Sequence, residues 1–281
     1  MNVRIIIDST SDTIPAIREK CGIVPLTVNF GDTEYIDGVT ISHKEFYEKL
    51  VESDVLPTTS QPTPDAFAQE YRKAADAGQK AVVLTVSSKL SGTYQSATIA
   101  AMDFPGMVYV VDSKTVAIGT GILAELAVQM AESGADAETI VHKLNEEREN
   151  VRLIAMLDTL EYLKKGGRIS KTVAFAGELL SIKPVISVNS GVIEMLGKAR
   201  GSRQANNLLV KQIEAAGGVD FDKPVLLGYT GLSDILLQKY IADSAALWQE
   251  RKTSLNTTPI CSVIGTHTGP GAVAAAFFKT N

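Results

Sequence analysis

The residues best suited to chemistry lie in Ser87-Ser88-Lys89-Leu90-Ser91-Gly92-Thr93-Tyr94-Gln95-Ser96-Ala97. The β-branched run Ala81-Val82-Val83-Leu84-Thr85-Val86 before it predicts a buried strand, and the Ala-, Ser- and Thr-rich stretch Thr93 to Ala101 after it predicts a helix. Strand, tight hydroxyl-rich turn and helix, in that order, aim backbone N–H groups and the positive end of a helix dipole at whatever sits above the turn. Gly92 lacks a Cβ and lets a ligand approach the backbone, while Ser91 adds a hydroxyl donor, so the stretch has the make-up of a small anion site. The same residues also suit a purely local job, with Ser91 capping the helix and Gly92 making the turn.

Other chemistries find less support. A nucleophile elbow needs Gly-x-Ser-x-Gly, but Lys89 stands two residues before Ser91. No Gly-x-x-x-x-Gly-Lys-Ser/Thr loop or dinucleotide fingerprint occurs, and Gly166-Gly167-Arg168 does not follow a strand. The three histidines, His43, His142 and His267, have no ligand spacing, and Cys21 and Cys261 belong to no metal or disulfide pattern. Only His267 sits in a Gly/Thr stretch of the kind that builds sites. Hence the anion-binding inventory is good and the catalytic one thin: the residues point to binding a small carboxylate or phosphate without transforming it unaided.

The elements that must position these groups alternate. Ile5 to Ile7 predict the first strand, with Asp8-Ser9-Thr10-Ser11-Asp12 at its carboxyl end, where open α/β sheets bind ligands. Ser11 or Asp12 is expected to cap a short helix through Ile14 and Ile17. Ile23 to Phe30 read as one strand with Pro25 marking an edge or bulge, and Thr33 to Ile36 pair back on it. Ser42 caps a helix to about Ser53, whose His43 reads as exposed. Pro57 to Pro64 form a stiff extended loop carrying Thr58, Thr59 and Ser60, and Pro64 opens the next helix. A strand over Met107 to Val111, a helix over Val116 to Glu132 and a polar helix capped by Asp136 follow, the last with a surface His142. This alternation predicts a mainly parallel α/β sheet.

The pattern changes after Asn150. Arg152 to Leu157 predict a strand, Leu160 to Arg168 a short helix with a glycine stop, and Thr172 to Leu180 another helix. Lys183 to Val188 and Val192 to Lys198 flank Asn189-Ser190-Gly191 as a hairpin. A helix over Ser202 to Ala216, strands at Pro224 to Tyr229 and Pro259 to Ile264, and a Ser233-capped helix to about Glu250 lie between there and the loop Gly265 to Gly271. The closing Ala-rich segment reads as a helix. The expected architecture is two α/β domains, 1–151 with a mainly parallel sheet and 152–281 with a mixed or antiparallel one.

Composition narrows the partners. The 281 residues carry a net charge of −5, with no basic excess to displace counterions, which argues against nucleic acid. No stretch is long and apolar enough to span a bilayer, and the chain opens on a strand instead of a signal peptide, so a cytoplasmic protein without stable membrane insertion is expected.

Five segments carry a resemblance to a known family. Ile7-Asp8-Ser9-Thr10-Ser11-Asp12, Thr59-Ser60-Gln61-Pro62, Ser88-Lys89-Leu90-Ser91-Gly92-Thr93-Tyr94, Tyr162-Leu163-Lys164-Lys165-Gly166-Gly167-Arg168-Ile169 and Gly265-Thr266-His267-Thr268-Gly269-Pro270-Gly271 resemble, in order, motifs of the DegV family. The resemblance spans essentially the whole chain. It implies a long-chain fatty acid held in a tunnel between two α/β domains, no cofactor and no metal. It also implies a separate fatty acid kinase that phosphorylates the presented carboxylate for phospholipid synthesis. Residue by residue, it implies that Thr59, Ser91, Gly92 and His267 bind the head group and that Arg200 faces the kinase. The alternative is a self-sufficient serine hydrolase acting on an acyl ester through Ser91.

Overall fold

Runs such as Ile5-Ile6-Ile7 bury both faces of their strands, and period-two alternation sends neighbouring residues to opposite sides. The computed structural model describes residues 2–169, 182–248 and 255–280. The chain begins with β1 (Val3–Asp8), α1 (Pro15–Arg18), β2 (Gly22–Val24), β3 (Thr27–Phe30), β4 (Thr33–Ile36), α2 (His43–Glu52), β5 (Thr58–Ser60) and α3 (Pro64–Asp76). There follow β6 (Lys80–Thr85), α4 (Thr93–Ala101), β7 (Val108–Asp112), α5 (Ile118–Glu132) and α6 (Ala137–Glu147). The later part comprises β8 (Val151–Met156), α7 (Glu161–Lys165), β9 (Ile182–Asn189), β10 (Val192–Arg200), α8 (Gly201–Ala215) and β11 (Leu226–Tyr229). It ends with α9 (Ile235–Asp243), α10 (Ala245–Trp248), β12 (Asn256–Pro259), α11 (Ser262–Thr268) and β13 (Val273–Phe278).

Three sheets result. A parallel sheet runs in the order β2-β1-β6-β7, a mixed sheet in the order β10-β9-β8-β13-β11-β12, and a small antiparallel sheet in the order β4-β3-β5. In the parallel sheet Ile5, Ile7, Val82 and Leu84 face one core, while Ile6, Ala81 and Val83 face another with Phe67 and Tyr71. α5 is apolar nearly all round because it is packed on both sides, with Ile118, Ile122 and Leu123 in the core shared by β1 and β13. On the mixed sheet Ile154, Met156, Val185, Leu227, Ala275 and Phe277 bury against Leu209, Ile213, Leu237 and Tyr240 of α8 and α9.

Capping follows the sequence at several places. Ser42 and Glu45 form a reciprocal capping box on α2, and the Asp136 side chain accepts the Thr139 N–H on α6. The hairpin β9–β10 turns at Ser190 and Gly191, both with positive φ. Elsewhere tertiary structure prevails. Ile23 to Phe30 form two strands: β2 edges the parallel sheet and β3 leaves it for the antiparallel one, with Pro25, which cannot donate to a ladder, at the break. Neither Ser11 nor Asp12 caps α1; its first flanking residue is Ile14, and Asp12 instead accepts the Cys261 N–H. His43 is half-buried between the rings of Tyr47 and Tyr229, at 4.7 and 6.0 Å, and not exposed. Pro259 to Ile264 do not continue as a strand, since α11 starts at Ser262 and takes in most of the expected final loop. The helix expected after Ser233 stops at Asp243 and resumes as the short α10. The helix expected over Thr172 to Leu180 lies outside the described residues.

The largest difference is at the end. Val273-Ala274-Ala275-Ala276-Phe277-Phe278 is a fully buried strand between β8 and β11, not a helix. Alanine favours helices in isolation, but helix propensity is a weak prior against two hydrogen-bonding neighbours and complete burial. Its small side chains serve a spatial purpose described below.

Candidate functional site

One row of residues across the mixed sheet explains the main cavity. Ile186 of β9 stands opposite Ala155 of β8, Ala155 opposite Ala274 of β13, and Ala274 opposite Gly228 of β11. All four line a cavity of about 920 Å³, open mouth included. The same face continues at alternate positions through Leu153, Leu157, Val188 and Ala272, so the apolar wall follows the strand period. Ala and Gly at the middle of the row leave the floor low where larger side chains would fill it. The opposite wall comes from the carboxyl ends of the first sheets, through Leu26, Val86, Leu90, Val116 and Ala117.

Polar groups gather where Thr59, Ser91, Arg168 and His267 join the lining. Thr59 Oγ1 lies 3.0 Å from His267 Nε2, a contact between residues 208 positions apart. β5 places Thr59 by pairing with Val28 of β3. His267 rides on α11, whose Val263, Ile264 and Thr268 also line the cavity. Its ring lies over Gly166, where a Cβ would stand 2.2 Å from Nδ1, so only glycine leaves room. Gly269 ends α11 with φ of 70° and would otherwise press a Cβ into the Tyr162 ring. His267 Nδ1 is buried and has no hydrogen-bond partner among the described residues.

The cap position of α4 falls to Gly92, and Ser91 stands one residue before it. Its Oγ accepts the Thr93 N–H at 3.3 Å at the start of α4 and lies 2.8 Å from Thr93 Oγ1, while the residue lines the cavity. Gly92 flanks the helix just beyond the lining and packs against the Gln61 amide, where a Cβ would stand 2.0 Å from Oε1. Arg200 is exposed at the end of β10 and does not line the cavity. Arg168 is a lining residue that residue-by-residue matching passed over. Its Nη1 donates to the Gly166 carbonyl at 2.7 Å and its Nε to the Leu90 carbonyl at 3.4 Å, bringing a cation to the polar end. The only signal in the sequence was a basic residue closing a Gly-Gly stop.

Buried carboxylates hold the loops in place. Asp8 accepts the Val86 N–H at 2.7 Å and the Thr10 N–H at 2.9 Å, locking the end of β1 to the turn before Ser91. Burial lifts its carboxyl to about 6. Asp12 and Asp37 accept the N–H groups of Cys261 and Ser262 at the start of α11. Burial raises both carboxyls, and for Asp12 the Asp37 charge adds to it. Among the described residues no group of His, Cys, Asp and Glu side chains is arranged to hold a metal ion, and no helix is long and apolar enough to cross a membrane.

Burial, with the Arg168 charge adding to it, depresses His267 from 6.5 to about 4, so the imidazole is neutral at pH 7. Between those values the folded chain binds fewer protons at this site than the unfolded one. The His267 contribution to stability is therefore complete above pH 6.5 and is lost as pH falls toward 4. Asp8 acts with the opposite sign, its stabilising protonated form being lost as pH rises from 3.8 through about 6. The stability difference between wild type and His267→Ala isolates the histidine. In urea unfolding it is expected to shift in favour of wild type from pH 4 to 6.5 and to stay level above; a difference independent of pH would contradict a neutral, buried imidazole.

Comparison with known proteins finds relatives over essentially the whole chain. The family described as "Uncharacterised protein, DegV family" matches residues 2–280. A DegV domain-containing protein of Caldanaerobacter subterraneus subsp. tengcongensis is 34% identical over 283 residues, covering 99% of this chain and 98% of the relative. A DegV family protein from Thermus thermophilus, solved as a study of fatty acid binding, superposes with a TM-score of 0.88 at 33% identity, covering 99% of this chain and 100% of that one. A stearic acid-binding protein from Eubacterium ventriosum gives 0.86 at 28% identity, covering 99% and 98%. On a family match over essentially its whole length and a shared fold, the chain belongs to the DegV family.

Proposed function

We propose that this chain binds a long-chain fatty acid and presents its carboxylate to a separate fatty acid kinase, which forms an acyl phosphate for phospholipid synthesis. The observation that carries the reading is a cavity with largely apolar walls whose lining includes Thr59, Ser91, Arg168 and His267, with Thr59 Oγ1 3.0 Å from His267 Nε2 and Arg168 Nε on the carbonyl of Leu90, next to Ser91. The fatty acids named for relatives of the same fold give it the ligand class. The proposed domain boundary at 151/152 falls one residue into β8, the first strand of the mixed sheet in chain order. A carboxylate leaving water needs charge-assisted hydrogen bonds of about 1.5–3 kcal/mol each, and hydroxyls, a neutral imidazole and a guanidinium can supply them. Burying roughly fourteen methylenes at about 0.8 kcal/mol each gives about 11 kcal/mol gross, so the tail dominates affinity and the polar end sets orientation. The protein is then a carrier and the kinase the catalyst, with Arg200 as a contact to it.

A hydrolase using Ser91 finds no support in the contacts, since Ser91 Oγ partners Thr93 and His267 Nε2 partners Thr59. Ser91→Ala separates the possibilities. Fatty acid affinity is expected to fall by about 1–3 kcal/mol, because one head-group donor is lost and the tail contacts survive. Kinase-coupled turnover should fall further, since phosphoryl transfer needs the carboxylate held in line. Arg200→Ala should keep the lipid and slow turnover at limiting protein. A Ser91→Ala chain that melts earlier yet binds and turns over like wild type would confine Ser91 to capping. Sustained ester hydrolysis abolished by the same change would establish the hydrolase.

A further inference from the structure

Ser187 and Val188 of β9 line the apolar cavity and also a second one of about 990 Å³, open mouth included. This second cavity is polar and lies between the ends of β7 and α6 on one side and β8, β9, β10 and α8 on the other. Lys114, Arg148 and Arg152 line it and converge on Glu149. Lys114 Nζ lies 2.5 Å from Glu149 Oε1, and Arg148 Nε lies 3.7 Å from the same oxygen, beyond hydrogen-bond reach. Arg152 Nη1 donates to the Glu149 main-chain carbonyl at 3.0 Å. The Lys114 hydrogen bond, with the charges of all three cations, holds the Glu149 carboxyl below its ordinary range.

One carboxylate does not use up this set of donors. Arg148 Nε is buried without a hydrogen-bond partner among the described residues, and Arg148 lines the cavity. The other acid of the lining, Glu194, is engaged with Asn189 at 3.2 Å. Three cations against two acids leave a positive excess here, in a chain whose net charge is −5. The cations come from separate positions and do not form a single planar fork. That suits a tetrahedral, multiply charged oxyanion better than a second flat carboxylate.

We propose that this cavity binds a phosphate group, either as free phosphate or as the phosphate end of a nucleotide. Arg148 supplies a donor at its wall, Lys114 and Arg152 supply charge at its rim, and Glu149 holds the place the anion takes. The site is separate from the fatty acid head group, so its occupant survives filling of the tunnel.

The test is calorimetric titration of the full chain with sodium phosphate and, separately, with ADP, at constant ionic strength. Saturable one-site binding is expected with at least one of them; ADP tighter by tenfold or more identifies a nucleotide, and comparable affinities identify free phosphate. Arg148→Gln should weaken binding at least tenfold. Should that chain fail to fold, for Arg148 also donates to the Asp112 carbonyl at 2.8 Å, the more exposed Lys114→Gln should weaken it severalfold. Glu149→Gln, which removes the competing carboxylate, should tighten it. Absence of saturable binding for both anions, equal affinity in the cation variants, weaker binding in Glu149→Gln, or displacement of the anion by oleate would each overturn the proposal.

Discussion

Ala155→Phe is expected to empty the tunnel while leaving its polar end intact. Ala155 stands at the middle of the row Ile186, Ala155, Ala274, Gly228 that floors the cavity, and its neighbours across the sheet offer no room to turn aside. A phenyl ring there occupies space the acyl chain needs, and overpacking costs the fold only about 1–3 kcal/mol when a cavity is available to take the ring. If half the tail contacts are lost, the gross apolar term falls by roughly 5 kcal/mol at about 0.8 kcal/mol per methylene, more than a thousandfold in affinity. The variant should fold, show the wild-type His267 titration and bind oleate at least a hundredfold more weakly. Equal affinity would mean that the tail does not run along this row.

Asp37→Ala should have the largest effect on stability. Asp37 is buried and joins three segments: its carboxylate accepts the Ser9 hydroxyl at 2.8 Å and the Ser262 N–H at 3.2 Å, while Ser9 Oγ accepts the Leu26 N–H at 3.1 Å. Removing it strands a buried hydroxyl and a buried N–H at the start of α11, at about 1–3 kcal/mol each, so a loss on the order of 2–5 kcal/mol is expected. Because α11 carries His267 as well as Val263 and Ile264, oleate affinity should fall with it although Asp37 touches no ligand. Asp37→Asn keeps an acceptor for Ser262 and removes a charge that burial disfavours, so it should recover most of the stability. Denaturant unfolding of the two variants decides the matter, and an alanine variant within 0.5 kcal/mol of wild type would be incompatible with this bridging role.

Much of the site could be read from residue types. The stretch from Ala81 to Ala101 is the strand, turn and helix it promised, and hydroxyls at Thr59 and Ser91 meet the same cavity as His267. Local chemistry dictates such features: β-branched runs, a proline at a helix start, serine and aspartate caps. What stayed hidden depends on distant partners. The alanines of β13 look helical until β8 and β11 stand on either side. Asp12 looks like a cap until Cys261, 249 residues away, arrives as its donor. Arg168 has no periodic pattern to betray it, and only the fold brings its guanidinium to His267. The tunnel itself has no motif, because its floor is a row of small residues from three strands, beside Ile186 of a fourth, that only sheet register aligns.

Ligand retained through purification separates a fatty acid carrier from a chain that binds no lipid. The chain, purified without detergent or digestion, is denatured in organic solvent, and the extract is weighed by mass spectrometry against the protein. Long-chain free fatty acid is expected to approach one per chain in wild type and to be largely missing from Ala155→Phe. An extract without acyl chains, from protein that also fails to take up added oleate, would contradict fatty acid binding.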